Sequence, residues 1–464
     1  MFEQSNAQSL EGMPQMVGVN RERSILLDNA ATTPAFAAVQ ETVTELLDSY
    51  GSVHRGAGEN ARISTEVYER SREIIGEFFG ADAETDTVIF TKNTTEAINL
   101  LAQALTFDRE DVIIRSVMDH HSNDLPWRHT GANVQYVEVD VDGRFDEAHF
   151  EELLVRYAGK IKLVAVSGAS NVTGIMPNVA SIAQQAHAAD ALVAVDAAQL
   201  APHRPIDMSA LGIDFLAVSA HKMYAPLGSG ALIGKKRYLT GTRPPLSGGG
   251  TIKVVTDTAV SWAELPDRFE AGTPNALGAA AFAAAARVLE GVGMEKVAHH
   301  EATLTAYALG KLATIEGLQL YGDTQPEQTA SRVGVLPFNL EGISHQLVAA
   351  ELGYQHHISV RNGCFCAHPY VTRLLGVGQL EFAETVRSLE AGDKRSVPGM
   401  VRASFGIFSN FYDVDCLVGA LRDIQENGID ISRYQQESTS GEYFLKQRPR
   451  VEEWQLPQLL RKTD

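Results

Sequence analysis

Cysteine is scarce: the 464 residues include only Cys364, Cys366 and Cys416. Three thiols are too few for a disulfide framework and suit a reducing, cytoplasmic setting. Basic residues are outnumbered, 39 Lys and Arg against 58 Asp and Glu, for a formal charge of −19. Without a basic surplus the chain is not expected to bind nucleic acid, and an anionic membrane surface is an equally poor partner. Long apolar runs are missing too. The most apolar stretch, 276–286, is alanine-rich and ends at Arg287. A spanning helix needs about 20 apolar residues, so a buried helix is expected there. The N-terminus, MFEQSNAQSLEGMPQ, has no basic stretch before an apolar core, so no signal peptide is expected. There is no internal repeat. With 44% apolar and 21% charged residues, the chain has an ordinary globular balance.

What is present alternates. Short β-rich apolar runs occur at 87–91, 112–115, 134–139, 163–166, 192–195, 215–218 and 231–233. Several are apolar on both faces, the pattern of strands covered on both sides. Helical patterns lie between them, at 95–105, 146–157 and 178–188. Pro177 sits where a helix can begin without losing a needed donor. Seven strands with helical crossovers predict an α/β domain around a mostly parallel sheet. A long helix near 295–315 would carry the chain away from it. Residues 318–430 mix strands and helices and predict a smaller α+β domain. Two segments read as additions: 379–400, charged and containing the turn-prone AGDKRSVPG, and a polar tail from about Arg433.

The candidate chemistry sits at strand ends, where open α/β sheets bind ligands. In DFLAVSAHKMYAPLGSGAL, Ser219, His221 and Lys222 follow one strand. A desolvated lysine loses its proton more readily and can form a Schiff base; alone, it also reads as a loop lysine. In LVAVDAAQ, Asp196 ends the preceding strand and Gln199 follows. A pyridoxal phosphate (PLP) ring needs a carboxylate at its pyridine nitrogen and a donor near its hydroxyl; an Asp here could equally cap a helix. In TVIFTKNTTEAINL, Thr94 and Thr95 open a helix, either as caps or as anion donors. In MDHHSN, His120 and His121 are adjacent, so at most one should point inward. RNGCFCAHPY puts Cys364 and Cys366 on a glycine-containing loop. A Cys-x-Cys-x-His zinc site lacks an obvious fourth ligand, which leaves a nucleophilic thiolate or buried filler. Cys416, in an apolar helical pattern, reads as core. Arg402, alone in the strand-like VRASFGIF, reads as a carboxylate clamp or a structural ion pair.

Taken together, these segments resemble one family: the fold-type I, class V aminotransferase superfamily, and within it the Suf-type cysteine desulfurase/selenocysteine lyase group. The resemblance runs from about residue 26 to 424. It is carried by LLDNAATT, GSVHRG, TKNTTEAIN, MDHHSN, SNVTG, VDAAQ, SAHKMYAPLGSG, SGGG, FEAGTPN, RNGCFCA and VRASF, in that order. It implies the aspartate aminotransferase-like PLP-dependent transferase fold, with a seven-stranded, mostly parallel sheet in a large domain (21–300). A small α+β domain (1–20 and 301–432) would carry the cysteine loop (361–367) and the insertion 379–400, followed by an extension (433–464).

The resemblance also implies roles. Lys222 would hold PLP, with Asp196 at the ring nitrogen, Gln199 at the ring hydroxyl and His120 stacked on the ring. Thr94, Thr95, Ser219 and His221 would hold the phosphate, and Thr273 would reach the phosphate of a neighbouring subunit in a homodimer. Asn171, Arg361 and Arg402 would bind the substrate, a small sulfur-containing amino acid. Cys366 would be the catalytic thiol, helped electrostatically by Arg361 and His120. The implied reaction is L-cysteine to L-alanine with an enzyme persulfide, and a sulfur-acceptor protein as partner. A C–S lyase or another class V enzyme without a persulfide stays open at this point, since only the cysteine loop separates them. A non-catalytic scaffold would need none of Lys222, Asp196 and Arg402. Two departures stand out: Cys364 where Suf-type loops usually carry His, and a longer stretch between Cys366 and Arg402.

Overall fold

The computed structural model describes residues 12–20 and 24–447. All seven β-rich runs enter one sheet, with ends within two residues of the sequence reading. They are β1 (Asp86–Thr91), β2 (Val112–Ser116), β3 (Asn133–Val137), β4 (Ile161–Ser167), β5 (Leu192–Asp196), β6 (Phe215–Ser219) and β7 (Gly230–Lys235). The spatial order is β1-β7-β6-β5-β4-β2-β3. Only β7 runs against its neighbours; the other contacts are parallel. Alternate residues explain the two-faced apolarity. Ile113, Leu163, Ala194, Ala217 and Leu232 pack on one side with Ile98, Leu101 and Trp127. Ile114, Val164, Val195, Leu216 and Ile233 pack on the other with Val39, Ile75 and Phe282. The register brings the C-terminal ends of β1, β4, β5 and β6 to one edge: Thr91 and Ser219 both oppose Gly230, and Ser167 opposes Asp196.

The alanine-rich stretch is a buried helix, Ala276–Val292, capped by Asn275, which accepts from the Gly278 N–H at 2.9 Å. Its small side chains let it lie close to the helices Ala37–Asp48 and Glu59–Phe78. Among the described residues no single helix is long and apolar enough to cross a membrane. Gly293, with φ of 91°, breaks it into the next helix, Met294–Leu312. That helix starts in the large core with Met294 and Val297 and ends in a second core with Leu304, Ala308 and Leu312. The second core lies under an antiparallel sheet of β8 (Leu318–Leu320), β9 (Val335–Leu340), β10 (Arg361–Gly363) and β11 (Met400–Ser404), ordered β8-β9-β11-β10. Helices His345–Tyr354 and Phe411–Asn427 cover it.

The two additions have definite structure. The 379–400 segment is a helix, Gln379–Glu390, without a buried side chain among those described, and then a turn that leads into β11. The polar tail begins as a hairpin, β12 (Tyr434–Gln436) and β13 (Tyr443–Leu445). It packs through Tyr434, Tyr443 and Leu445 on Leu347 and Ala350. Strands of three residues carry too little alternation to be read from sequence. The end of the tail, 448–464, and residues 1–11 lie outside the described residues.

Candidate active site

The aligned strand ends surround a cavity of about 280 Å³. The turns that follow β1, β2, β4, β5 and β6 bring polar side chains to it. After β6 a single tight turn, Ala220–Lys222, turns Lys222 and His221 back over the sheet edge. After β1, Asn93 caps the helix Thr94–Ala104 by accepting from the Glu96 N–H at 3.0 Å. The cap is therefore Asn93, and Thr94 and Thr95 are free of that duty. Thr94 donates its N–H to Ser219 Oγ at 2.8 Å, and the two hydroxyls also lie 2.8 Å apart. Thr95 Oγ1 meets Ser122 Oγ at 2.7 Å. Gly230 is needed at this edge, because a Cβ there would fall 2.4 Å from Val218 O and 2.8 Å from Asn93 Cα.

Asp196 is buried and is not a helix cap; it accepts from the Ala198 N–H at 3.0 Å. Burial raises its pKa, partly offset by that N–H and by Lys222. Lys222 moves the other way, down to about 8, because burial outweighs the attraction of Asp196. The pair thus holds an amine near its neutral form beside a carboxyl group in a dry setting. His120 lines the cavity and His121 does not. Burial, then Lys222, drives His120 down to about 3, so it is neutral at ordinary pH. Its Nδ1 accepts from the Ser122 N–H at 3.1 Å, which puts the ring proton on Nε2. His221 is held down to about 4 by burial and then by Lys222. Gln199 also lines the cavity. Its Nε2 donates to Ala30 O at 2.6 Å, and its buried Oε1 has no partner. It therefore offers an acceptor as well as the second hydrogen of its amide.

Arg402 forms the structural ion pair that the sequence allowed. It is 3% exposed and pairs with Asp28 at 3.2 Å, while Nη1 donates to Asn171 O at 2.8 Å. Its Nε is buried without a partner. Arg361 approaches the other Asp28 oxygen at 3.2 Å. One carboxylate thus holds two guanidinium groups at the cavity rim. Asp28 was missed because a lone acid in a turn carries no signal of partners more than 300 residues away.

The cysteine loop closes the cavity. Cys366 is exposed and lines it; Cys364 is half-buried and does not. The Cys364 thiol donates to Pro398 O at 3.0 Å, and burial raises it to about 11. The two thiols are therefore not interchangeable. Phe365 and Cys366 have φ of 51° and 56°, left-handed values that cost about 1–3 kcal/mol each outside glycine. Contacts from inside the fold hold them. Asn171 donates to Phe365 O at 2.7 Å, the His121 N–H donates to Cys366 O at 2.8 Å, and the Arg402 guanidinium lies 4.7 Å from the Phe365 ring. His121 turns outward to His368, with ring nitrogens 3.2 Å apart. Cys416 is only half-buried, on the rim of the second core.

Twelve of the thirteen sequence-derived site residues line this one cavity. Thr273 does not; it lines a separate depression of about 350 Å³ with Arg55 and Gly250. The donor set fits PLP. An amine stands ready for the aldehyde, a buried carboxyl for the ring nitrogen and an orphan acceptor for the ring hydroxyl. Hydroxyls at a helix N-terminus suit the phosphate. Among the described residues no group of three or more His, Cys, Asp or Glu is placed to hold a metal ion.

Known proteins share this architecture. The family model for aminotransferase class-V matches residues 25–417. A cysteine desulfurase of Haloferax volcanii is 35% identical over 87% of this chain and 89% of its own length. A probable cysteine desulfurase of Halalkalibacterium halodurans is 36% identical over 88% and 95%. The apo structure of a cysteine desulfurase from Thermococcus onnurineus superposes with a TM-score of 0.78 at 33% identity, covering 88% of this chain and 96% of that one. The cysteine desulfurase CsdA of Escherichia coli gives 0.75 at 31%, covering 89% and 98%. With most of its length matched by the family model and by relatives above 30% identity, the chain belongs to the class-V aminotransferase family, whose members are PLP-dependent.

Proposed function

We propose that this chain is a PLP-dependent cysteine desulfurase. It converts L-cysteine to L-alanine and keeps the sulfur as a persulfide on Cys366. The observation that carries the reading is the convergence of Lys222, Asp196, Arg402 and Cys366 on one small cavity. Lys222 Nζ would hold the cofactor aldehyde and Asp196 would face the ring nitrogen. Gln199 would face the ring hydroxyl, and His120 would stack on the ring. Thr94, Thr95, Ser219 and His221 would take the phosphate. Bound there, the cofactor supplies a sink for the electron pair left at the substrate Cα.

The chain's own residues do the rest. Arg402 grips the substrate carboxylate through Nε and its remaining N–H groups, with Arg361 beside it, and so fixes which Cα bond faces the ring. Lys222, neutral above about pH 8, takes the Cα proton at Nζ. Cys366 Sγ, as thiolate, bonds to the substrate sulfur while the Cβ–S bond breaks. The electron pair of that bond passes to the carbon side, which is protonated to alanine. Cysteine plus enzyme thiol thus becomes alanine plus enzyme persulfide, with no outside oxidant.

A sulfur-acceptor protein would then take the outer sulfur from the exposed Cys366. The protein would work in the cytoplasm as a homodimer, with Thr273 facing the other subunit's phosphate. Within each chain the division proposed lies near residue 300, where one helix passes between the two cores, with residues 25–27 joined to the smaller unit. The test is to incubate the holoenzyme with L-cysteine and assay alanine, pyruvate and sulfide beside peptide mass spectrometry. Expected are alanine and a Cys366 peptide one sulfur atom heavier, both lost in Cys366→Ala. Pyruvate and free sulfide with an unmodified Cys366 would overturn the reading in favour of a C–S lyase.

A further inference from the structure

The contacts of Phe365 and Cys366 hold the strained cysteine loop from the inside. Its outer side is held by the two segments added to the chain. Cys364 donates to Pro398 O, in the insertion, at 3.0 Å. Asn362, two residues earlier, donates through Nδ2 to Glu442 Oε2, in the C-terminal hairpin, at 2.9 Å. His345 stands between them, with one ring nitrogen 3.1 Å from Asn362 Oδ1 and the other 3.0 Å from Val397 O. The insertion turn is itself tied to the hairpin: the Lys394 N–H donates to Ser438 O at 2.8 Å, and Gln436 Nε2 donates to Arg395 O at 3.1 Å. The pieces fit closely. A Cβ on Gly399 would lie 2.8 Å from both Gly363 Cα and the His345 ring.

We infer that the hairpin and the insertion turn act as one brace that sets the pose of Cys366, with Glu442 and Asn362 as positioning residues. Left-handed non-glycine residues persist only where their surroundings over-determine them. Phe365 and Cys366 form two such residues in succession. Inner contacts fix the carbonyls of the loop, and the outer brace fixes its entry strand, so both are needed to hold Cys366 toward the cavity. Neither Glu442 nor Asn362 lines that cavity. The inference rests on the proposed role of Cys366 for its kinetic consequence, but not for its structural one.

The test uses the full-length holoenzyme with Glu442→Ala and Glu442→Gln. Glutamine keeps an acceptor oxygen for Asn362; alanine does not. In Glu442→Ala, kcat with L-cysteine is expected to fall roughly tenfold, within the cost of misplacing a reacting group by a fraction of an ångström. KM should stay within about twofold, and the cofactor absorbance should not change. Iodoacetamide should alkylate Cys366 faster, as followed on the peptide by mass spectrometry. Glu442→Gln should restore both rates. Wild-type alkylation and wild-type kcat in Glu442→Ala would overturn the brace, and so would loss of the cofactor band together with activity. Faster alkylation with unchanged kcat would keep the brace and instead remove Cys366 from the reaction.

Discussion

Lys222 is the residue on which the site turns. Its position after β6 was legible because a lysine among small residues at a strand end is unlike a solvated one. Its acidity was not, since that depends on burial beside Asp196. A lysine held down to about 8 is neutral above that pH, whereas an ordinary lysine needs about 10.5. Recombination of the apoprotein with PLP should therefore speed up with a midpoint near pH 8, read from the growth of the visible band. A midpoint near the ordinary lysine value would show that the amine is not desolvated. Lys222→Ala should give a colourless protein at every pH. His120, uncharged down to about pH 3, should contribute no step to the activity profile between pH 5 and 9. The thiols illustrate the limit of sequence at this scale. Cys364 and Cys366 differ by two positions, yet one is tied to Pro398 and the other opens on the cavity.

At the scale of elements, the turn between β1 and the helix Thr94–Ala104 carries two functions on adjacent residues. Asn93 caps the helix, while Thr94 and Thr95 are left to face the cavity. Asn93→Ala should cost about 1 kcal/mol of stability, measurable as a shift in the urea midpoint. Thr95→Ala should leave that midpoint nearly unchanged and weaken PLP affinity, measured by titrating the apoprotein. Equal stability losses in both would mean that Thr95 shares the capping. The sequence offered Thr94 or Thr95 as the cap because all three residues are good cap types in a row. Only the backbone conformation, with Asn93 extended and the helix beginning after it, separates them.

Across the whole molecule, a buried cluster joins the large sheet to the second core. Glu301 lies on the helix Met294–Leu312, 2.7 Å from His203 and 2.5 Å from Arg204, which follow β5. Burial alone would raise its pKa, but His203 and Arg204 together bring it down to about 2. Because the folded value lies below the unfolded one of 4.5, the carboxylate stabilises the fold above that value. The contribution is lost as the pH falls through about 2. Glu301→Ala leaves the buried Arg204 guanidinium without its carboxylate and should cost about 3–5 kcal/mol, seen in denaturant unfolding at pH 7. A loss below about 1 kcal/mol, the range of an exposed pair, would mean the cluster is hydrated. The motif order identified the family, but no motif predicted this contact.

The sequence by itself determined the seven strands, the helices between them and the strand-end residues, because side-chain periodicity and turn chemistry act over a few neighbours. It also marked 379–400 and the tail as additions. Only the tertiary structure decided which thiol meets the cavity, that Asp28 holds both arginines, that Gln199 offers an acceptor, and that the two additions meet behind the cysteine loop. Those facts depend on contacts between residues tens to hundreds of positions apart, and on the loss of water around them, neither of which a local pattern encodes.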